Sequence, residues 1–97
     1  MEDRILTMHP SGKQGVNILY RRYNRIKDYI LSTIRSTGVI TFSDLADQAV
    51  EELSDNFDGK VLWYVTTVKL DLEARGLIER VPKTSPHQLR LTEKASG

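Results

Sequence analysis

Three features of the sequence predict a small α+β fold, with an N-terminal arm followed by a helix, a short strand, two helices and a two-stranded hairpin. The first is length: 97 residues suit one core, because chains below roughly 150 residues rarely bury enough apolar surface for two. The second is apolar spacing of three and four residues in three separate segments, the mark of helices with one buried stripe. The third is punctuation. Gly38 and Gly76 stand just past two of those segments, where a helix ends by turning left-handed, and each is followed by a short β-branched or aliphatic run.

Residues 1–19 mix Gly, Pro and Ser without periodicity and read as an arm packing on the domain, with Val16 to Leu19 extended. The domain itself is expected over residues 20–92. From Tyr20 to about Ser36, Tyr20, Tyr23, Ile26, Ile30, Leu31 and Ile34 share a face, and Arg21, Arg22, Arg25 and Tyr29 lie outside it. Thr37-Gly38 ends that helix. Val39 to Phe42 suits a short strand, and Ser43 is placed to cap a helix reaching Leu53, with Asp44 favourable in its first turn. Leu45, Ala46, Ala49, Val50 and Leu53 make the buried stripe of that helix, and Asp44, Asp47, Glu51 and Glu52 face solvent.

Ser54 to Gly59 reads as a turn in which Asp58 caps a third helix over Lys60 to Arg75. Its ladder is Val61, Val65, Val68 and Leu72, and Gly76 stops it. Leu77 to Val81 and His87 to Thr92 form a hairpin whose tip lies near Lys83 to Ser85. Residues 93–97 have nothing to bury and read as a frayed tail.

That order of elements is the winged helix-turn-helix, and the run from Val68 to Arg80, VKLDLEARGLIER, looks like the junction between third helix and wing in many such domains. Leucines anchor the helix end, glycine breaks it, and Leu77 and Ile78 begin the hairpin. The combination of His9-Pro10-x-Gly12-Lys13-x-Gly15 with Trp63-Tyr64 and Val68 to Gly76 resembles a small bacterial winged-helix family without established activity, over nearly the whole chain. The resemblance implies a fold and no chemistry. Winged helices often bind DNA, laying the third helix in the major groove and touching phosphates with the wing. Others serve only as protein-interaction modules, so the fold alone assigns no function.

Several chemistries are excluded by composition and spacing. There is no cysteine, which removes thiolate nucleophiles, disulfides and the usual zinc sites, and fits a reducing cytoplasm. The acidic start and the lack of a long apolar run argue against a signal peptide and a membrane helix. "HPSGKQG", residues 9–15, has the glycine and lysine of a phosphate-binding loop. It fails the spacing: the position for the first glycine is Thr7, and Gln14 stands where Ser or Thr is required. His9 and His87 are the only histidines and lack the company of a metal site. Asp55 to Gly59 has the flavour of a calcium loop, but Thr66 falls where the closing glutamate belongs. No nucleophile elbow or catalytic cluster is evident, so no enzyme, cofactor or small-molecule substrate is expected.

The net charge of +1 hides an uneven distribution. Residues 41–58 carry six acids and no base, whereas residues 1–40 carry seven bases against three acids. The chain therefore lacks one continuous polyanion-binding stripe. Two functions follow as expectations. One is binding of double-stranded DNA, with Lys13 on the arm, Lys60, Thr66, Thr67 and Lys69 on the third helix, and Lys83 and Arg90 on the wing as contacts. The other is a protein-interaction or homodimer module working through Trp63 and Leu70, with Arg22, Arg25 and Tyr29 on the first helix docking an acidic surface. Trp63 shares its face with Thr67, Leu70 and Ala74, not with the side chains that read base edges. Three arrangements remain open for it: covered by the folded-back arm, exposed to a protein partner, or facing DNA.

Overall fold

A computed structural model describes residues 2–96. In order along the chain come strands β1 (Arg4–Leu6) and β2 (Asn17–Leu19), helix α1 (Tyr20–Thr37), strand β3 (Val39–Thr41), helices α2 (Phe42–Leu53) and α3 (Val61–Ala74), strands β4 (Ile78–Arg80) and β5 (Gln88–Leu91), and a final turn, α4 (Glu93–Ser96). The strands form two small antiparallel sheets, β1–β2 and β3–β5–β4. Ile26, Ile30 and Ile34 of α1, Leu45 and Ala49 of α2, Val65, Val68 and Leu72 of α3, and Ile78 and Leu89 of the hairpin meet in one core. Among the described residues, no helix is long and apolar enough to cross a membrane.

The arm is more ordered than its composition predicts. Residues 4–6 form a strand where the composition predicts a loop, with Ile5 opposite Ile18. Ile18 is buried and Ile5 half-buried against the core, so the hairpin is held by one apolar pair on the α1 side. The loop between the strands is closed by Thr7, whose backbone N–H and Oγ1 both donate to the Val16 carbonyl, at 2.9 and 3.2 Å. Val16 N–H donates back to Thr7 Oγ1 at 2.9 Å.

The glycines of "HPSGKQG" serve that loop. Gly12 adopts φ +83°, the left-handed region that a side chain disfavours. Gly15 runs so near Thr7 that a Cβ there would sit 1.9 Å from the Thr7 carbonyl oxygen. The motif is a hairpin turn and a backbone crossing.

Several local expectations need correction. Phe42 begins α2 instead of ending a strand, so the cap is Thr41, whose Oγ1 accepts the Asp44 N–H at 3.1 Å. Ser43, two residues too late, makes no cap. Val50 is 39% exposed, because α2 meets the core through Leu45, Ala46, Ala49 and Leu53 and Val50 sits on the edge of that stripe. Asp58 does not cap α3, which begins without a side-chain cap; its carboxylate is turned to α1. Tyr20 is exposed, while Tyr29, placed outside the buried face, packs against the core. The tail winds into the turn α4, where Lys94 Nζ donates to the Arg75 carbonyl at 3.2 Å. Gly97 lies outside the described residues.

Candidate functional site

Helix α3 is the element on which the candidate contacts converge, and its two sides are chemically opposite. On the inner side Val61, Val65, Val68 and Leu72 fill the core as their spacing predicts. On the outer side Leu62 is 55% and Trp63 46% exposed, with Thr66 exposed beside them. A helix that reads base edges usually offers Arg, Lys, Asn or Gln there. The Thr66 hydroxyl is turned back onto its own helix, donating to the Leu62 carbonyl at 2.9 Å.

The arm lies alongside Trp63 without covering it. Thr7, Met8, His9, Gln14, Gly15 and Val16 form one wall of a groove, and Trp63, Thr67 and Leu70 of α3 form the other, enclosing about 180 Å³. Toward the helix N-terminus a second, open depression is lined by Lys60, Leu62, Trp63, Thr66 and Thr67. The two share Trp63 and Thr67. No acidic residue lines either one. Met8 and Val16, both exposed, extend the apolar surface onto the arm.

The arm wall is fixed by a residue the sequence reading did not single out. Asp71 is fully buried and accepts the Met8 backbone N–H at 2.8 Å, the Tyr23 hydroxyl, and Arg75 Nε at 2.9 and 3.0 Å. One carboxylate thus joins the arm, α1 and α3. Burial and this hydrogen bond push the Tyr23 phenol well above its usual range, keeping it a donor. The signal was available: Asp71 lies three residues past Val68 and one before Leu72, at the margin of the apolar ladder, where a carboxylate is expensive unless paired.

The basic residues separate into occupied and free. Lys69 is not a surface contact: it is 4% exposed, 2.6 Å from Glu73, with its ammonium 5.3 Å from the Phe42 ring centroid. Packing of α2 and the hairpin over this flank of α3 buries it, which helix periodicity alone does not show. Arg90 lies on the middle strand and is held by Glu79 at 2.6 Å. Lys13, Lys60 and Lys83 are exposed and form no ion pair among the described residues. Lys13 lies in the arm loop beside the groove-lining Gln14, Lys60 on the rim of the second depression, and Lys83 at the hairpin tip with φ 62°.

The basic strip of α1 proves to be engaged within the chain. Arg21 donates to Glu2 at 2.6 Å and to Asp58 at 2.8 and 3.1 Å. Arg22 bonds the Tyr64 hydroxyl at 2.9 Å and Asp58 at 3.2 Å, and Arg25 bonds Asn56 at 2.8 Å. The two guanidiniums hold the Asp58 carboxyl far below the usual carboxylate range. Arg22 and Arg25 therefore clamp the turn before α3. Tyr29 is no free aromatic either, since its ring packs against the core; burial, with Glu52 nearby, pushes its phenol up to about 12.

On the hairpin side His87 stacks on Phe42 with ring centroids 6.2 Å apart. Burial, with Arg80 and Lys69 close by, lowers its pKa below the ordinary value. No group of three or more His, Cys, Asp or Glu that could hold a metal occurs among the described residues.

No curated protein and no solved structure matches the chain. Residues 4–89 match a family model, which spans the arm, all three long helices and most of the hairpin. By that match the chain belongs to the family described as Family of unknown function (DUF6958).

Proposed function

We propose that the chain is a non-enzymatic winged helix-turn-helix module that works by binding another protein through the groove between its arm and α3. The order α1, β3, α2, α3, β4, β5 and the sheet order β3–β5–β4 support the winged-helix reading. The observation that carries the binding mode is the outer face of α3. Leu62 and Trp63 stand open at the position where a DNA reader displays polar side chains, and Lys69, the helix's central base, is buried against Glu73. Exposed apolar surface flanked by a fixed wall is the usual mark of a protein-docking site.

Binding of double-stranded DNA is the second reading, favoured by one observation: Lys60, Lys83 and Lys13 form no ion pair among the described residues, and Lys60 precedes the first turn of α3. Against it, α2 carries Asp44, Asp47, Glu51 and Glu52 exposed, and in helix-turn-helix docking that helix approaches the phosphate backbone. A duplex titration separates the two. Protein docking through this face is supported by absent or weak duplex binding. Binding that falls steeply between about 50 and 200 mM salt and protects Trp63 from quenching overturns it in favour of DNA.

A further inference from the structure

The groove has a feature that narrows what fits it. It is two apolar depressions meeting at Trp63 and Thr67: one of about 180 Å³ closed on its far side by the arm, the other opening toward Lys60. Trp63 lines both depressions, so an occupant of either one meets its indole ring. The rim charge is of one sign. Lys60 borders the outer depression, Lys13 lies in the loop that walls the inner one, and neither is neutralised by a carboxylate among the described residues.

The arm wall is also preset, because Met8 is tied to Asp71 and Val16 to Thr7 before anything binds. A preformed groove takes a partner without first ordering its own loop, which lowers the entropy cost of binding.

Resting on the protein-docking reading above, we propose that the occupant is an amphipathic acidic segment of another protein. Two aliphatic side chains, one helical turn apart, enter the depressions on either side of Trp63, and carboxylates outside them meet Lys13 and Lys60. Opposite charge across the rim favours this partner over a basic or neutral one, and apolar anchors in the centre supply the affinity. The same chemistry disfavours a second copy docking groove to groove, since that would face lysine with lysine.

The test uses the full chain and a short fluorescein-labelled peptide of Asp and Glu with two leucines at i, i+4, followed by anisotropy and by the fluorescence of Trp63, the only tryptophan. Saturable binding is expected, with a change in tryptophan emission, and with at least tenfold weakening in the Lys13→Glu/Lys60→Glu double variant. These two side chains are exposed, so the variant keeps the fold, which circular dichroism checks. Equal binding of a peptide with serine for leucine, or of one with lysine for the acids, overturns the proposal, as does an unaffected double variant. If the acidic peptide fails while light scattering shows self-association that Trp63→Ala abolishes, the acidic partner is wrong and protein docking through this face stands. If duplex DNA binds and the peptide does not, both are wrong.

Discussion

Helices α1 and α3 each show a surface that stands out in the sequence, and the fold treats them oppositely. On α1 Arg21, Arg22 and Arg25 find Glu2, Asp58, Asn56 and Tyr64 within the chain. On α3 the Trp63 side chain finds only a partial wall, and Leu62 lines the open depression beside it. Charge on a helix is easily satisfied by a neighbouring turn, because a carboxylate on a loop can move to it at little cost. A large aromatic can be covered only by comparable apolar surface, and the arm supplies Met8 and Val16 at the side of the groove, not over it. The strip that reads as a docking surface is a clamp, and the face for which the arm, a protein partner and DNA all remain as covers is the open one.

The comparison breaks most severely at the residue that fixes the arm. Asp71→Ala is expected to cost about 3 kcal/mol, because it strands the buried Tyr23 hydroxyl and the Met8 N–H, while Arg75, a third exposed, turns partly to water. Chemical denaturation measures the loss. Hydrogen exchange at Met8 should accelerate more than exchange in the core of α1.

Gly15→Ala should come next, at about 2 kcal/mol, since its Cβ would sit 1.9 Å from the Thr7 carbonyl oxygen, a backbone clash that no side-chain movement relieves. An unchanged midpoint would mean the arm does not cross as described. Trp63→Ala sharpens the contrast from the other side. A half-exposed indole contributes little to folding, so stability should change by under about 1 kcal/mol, while peptide affinity should fall by about 2 kcal/mol or more. Arg25→Ala should do neither, lowering the melting temperature slightly and leaving the peptide affinity as it was.

The smallest effect expected is a pH dependence at the hairpin. His87 takes a proton less readily in the folded chain than in the unfolded one, where its value is the ordinary 6.5. Its contribution is therefore complete above that value and is lost as the pH falls below it toward the depressed folded value. The melting temperature should decline over that window, and His87→Gln should flatten the decline. A flat profile in the unaltered chain would place His87 in solvent.

Much of this was legible beforehand for physical reasons. Val61, Val65, Val68 and Leu72 repeat at helical spacing, and Gly38 and Gly76 both take the left-handed φ that ends a helix. What escaped was whatever depends on contacts distant in sequence. Strand β1 has three residues and no alternation of its own, and it exists because Ile5 pairs with Ile18. Lys69 is buried by elements on either side of its helix, and Asp58 trades a cap it could make for two arginines it meets only in the fold. Of the proposed contacts, Trp63, Thr67 and Leu70 come together on one groove. Lys69, Arg90, Arg22 and Arg25 are engaged elsewhere.

The openness of Trp63 is the most direct point of attack. Acrylamide quenching of the free native chain, read against the same chain in denaturant, isolates this one indole. With the indole open, substantial quenching in the native state and red-shifted emission are expected, changed little by Gly15→Ala. Blue-shifted emission and strong protection that Gly15→Ala abolishes would contradict it, because the arm would then be a lid on this face instead of a wall beside it.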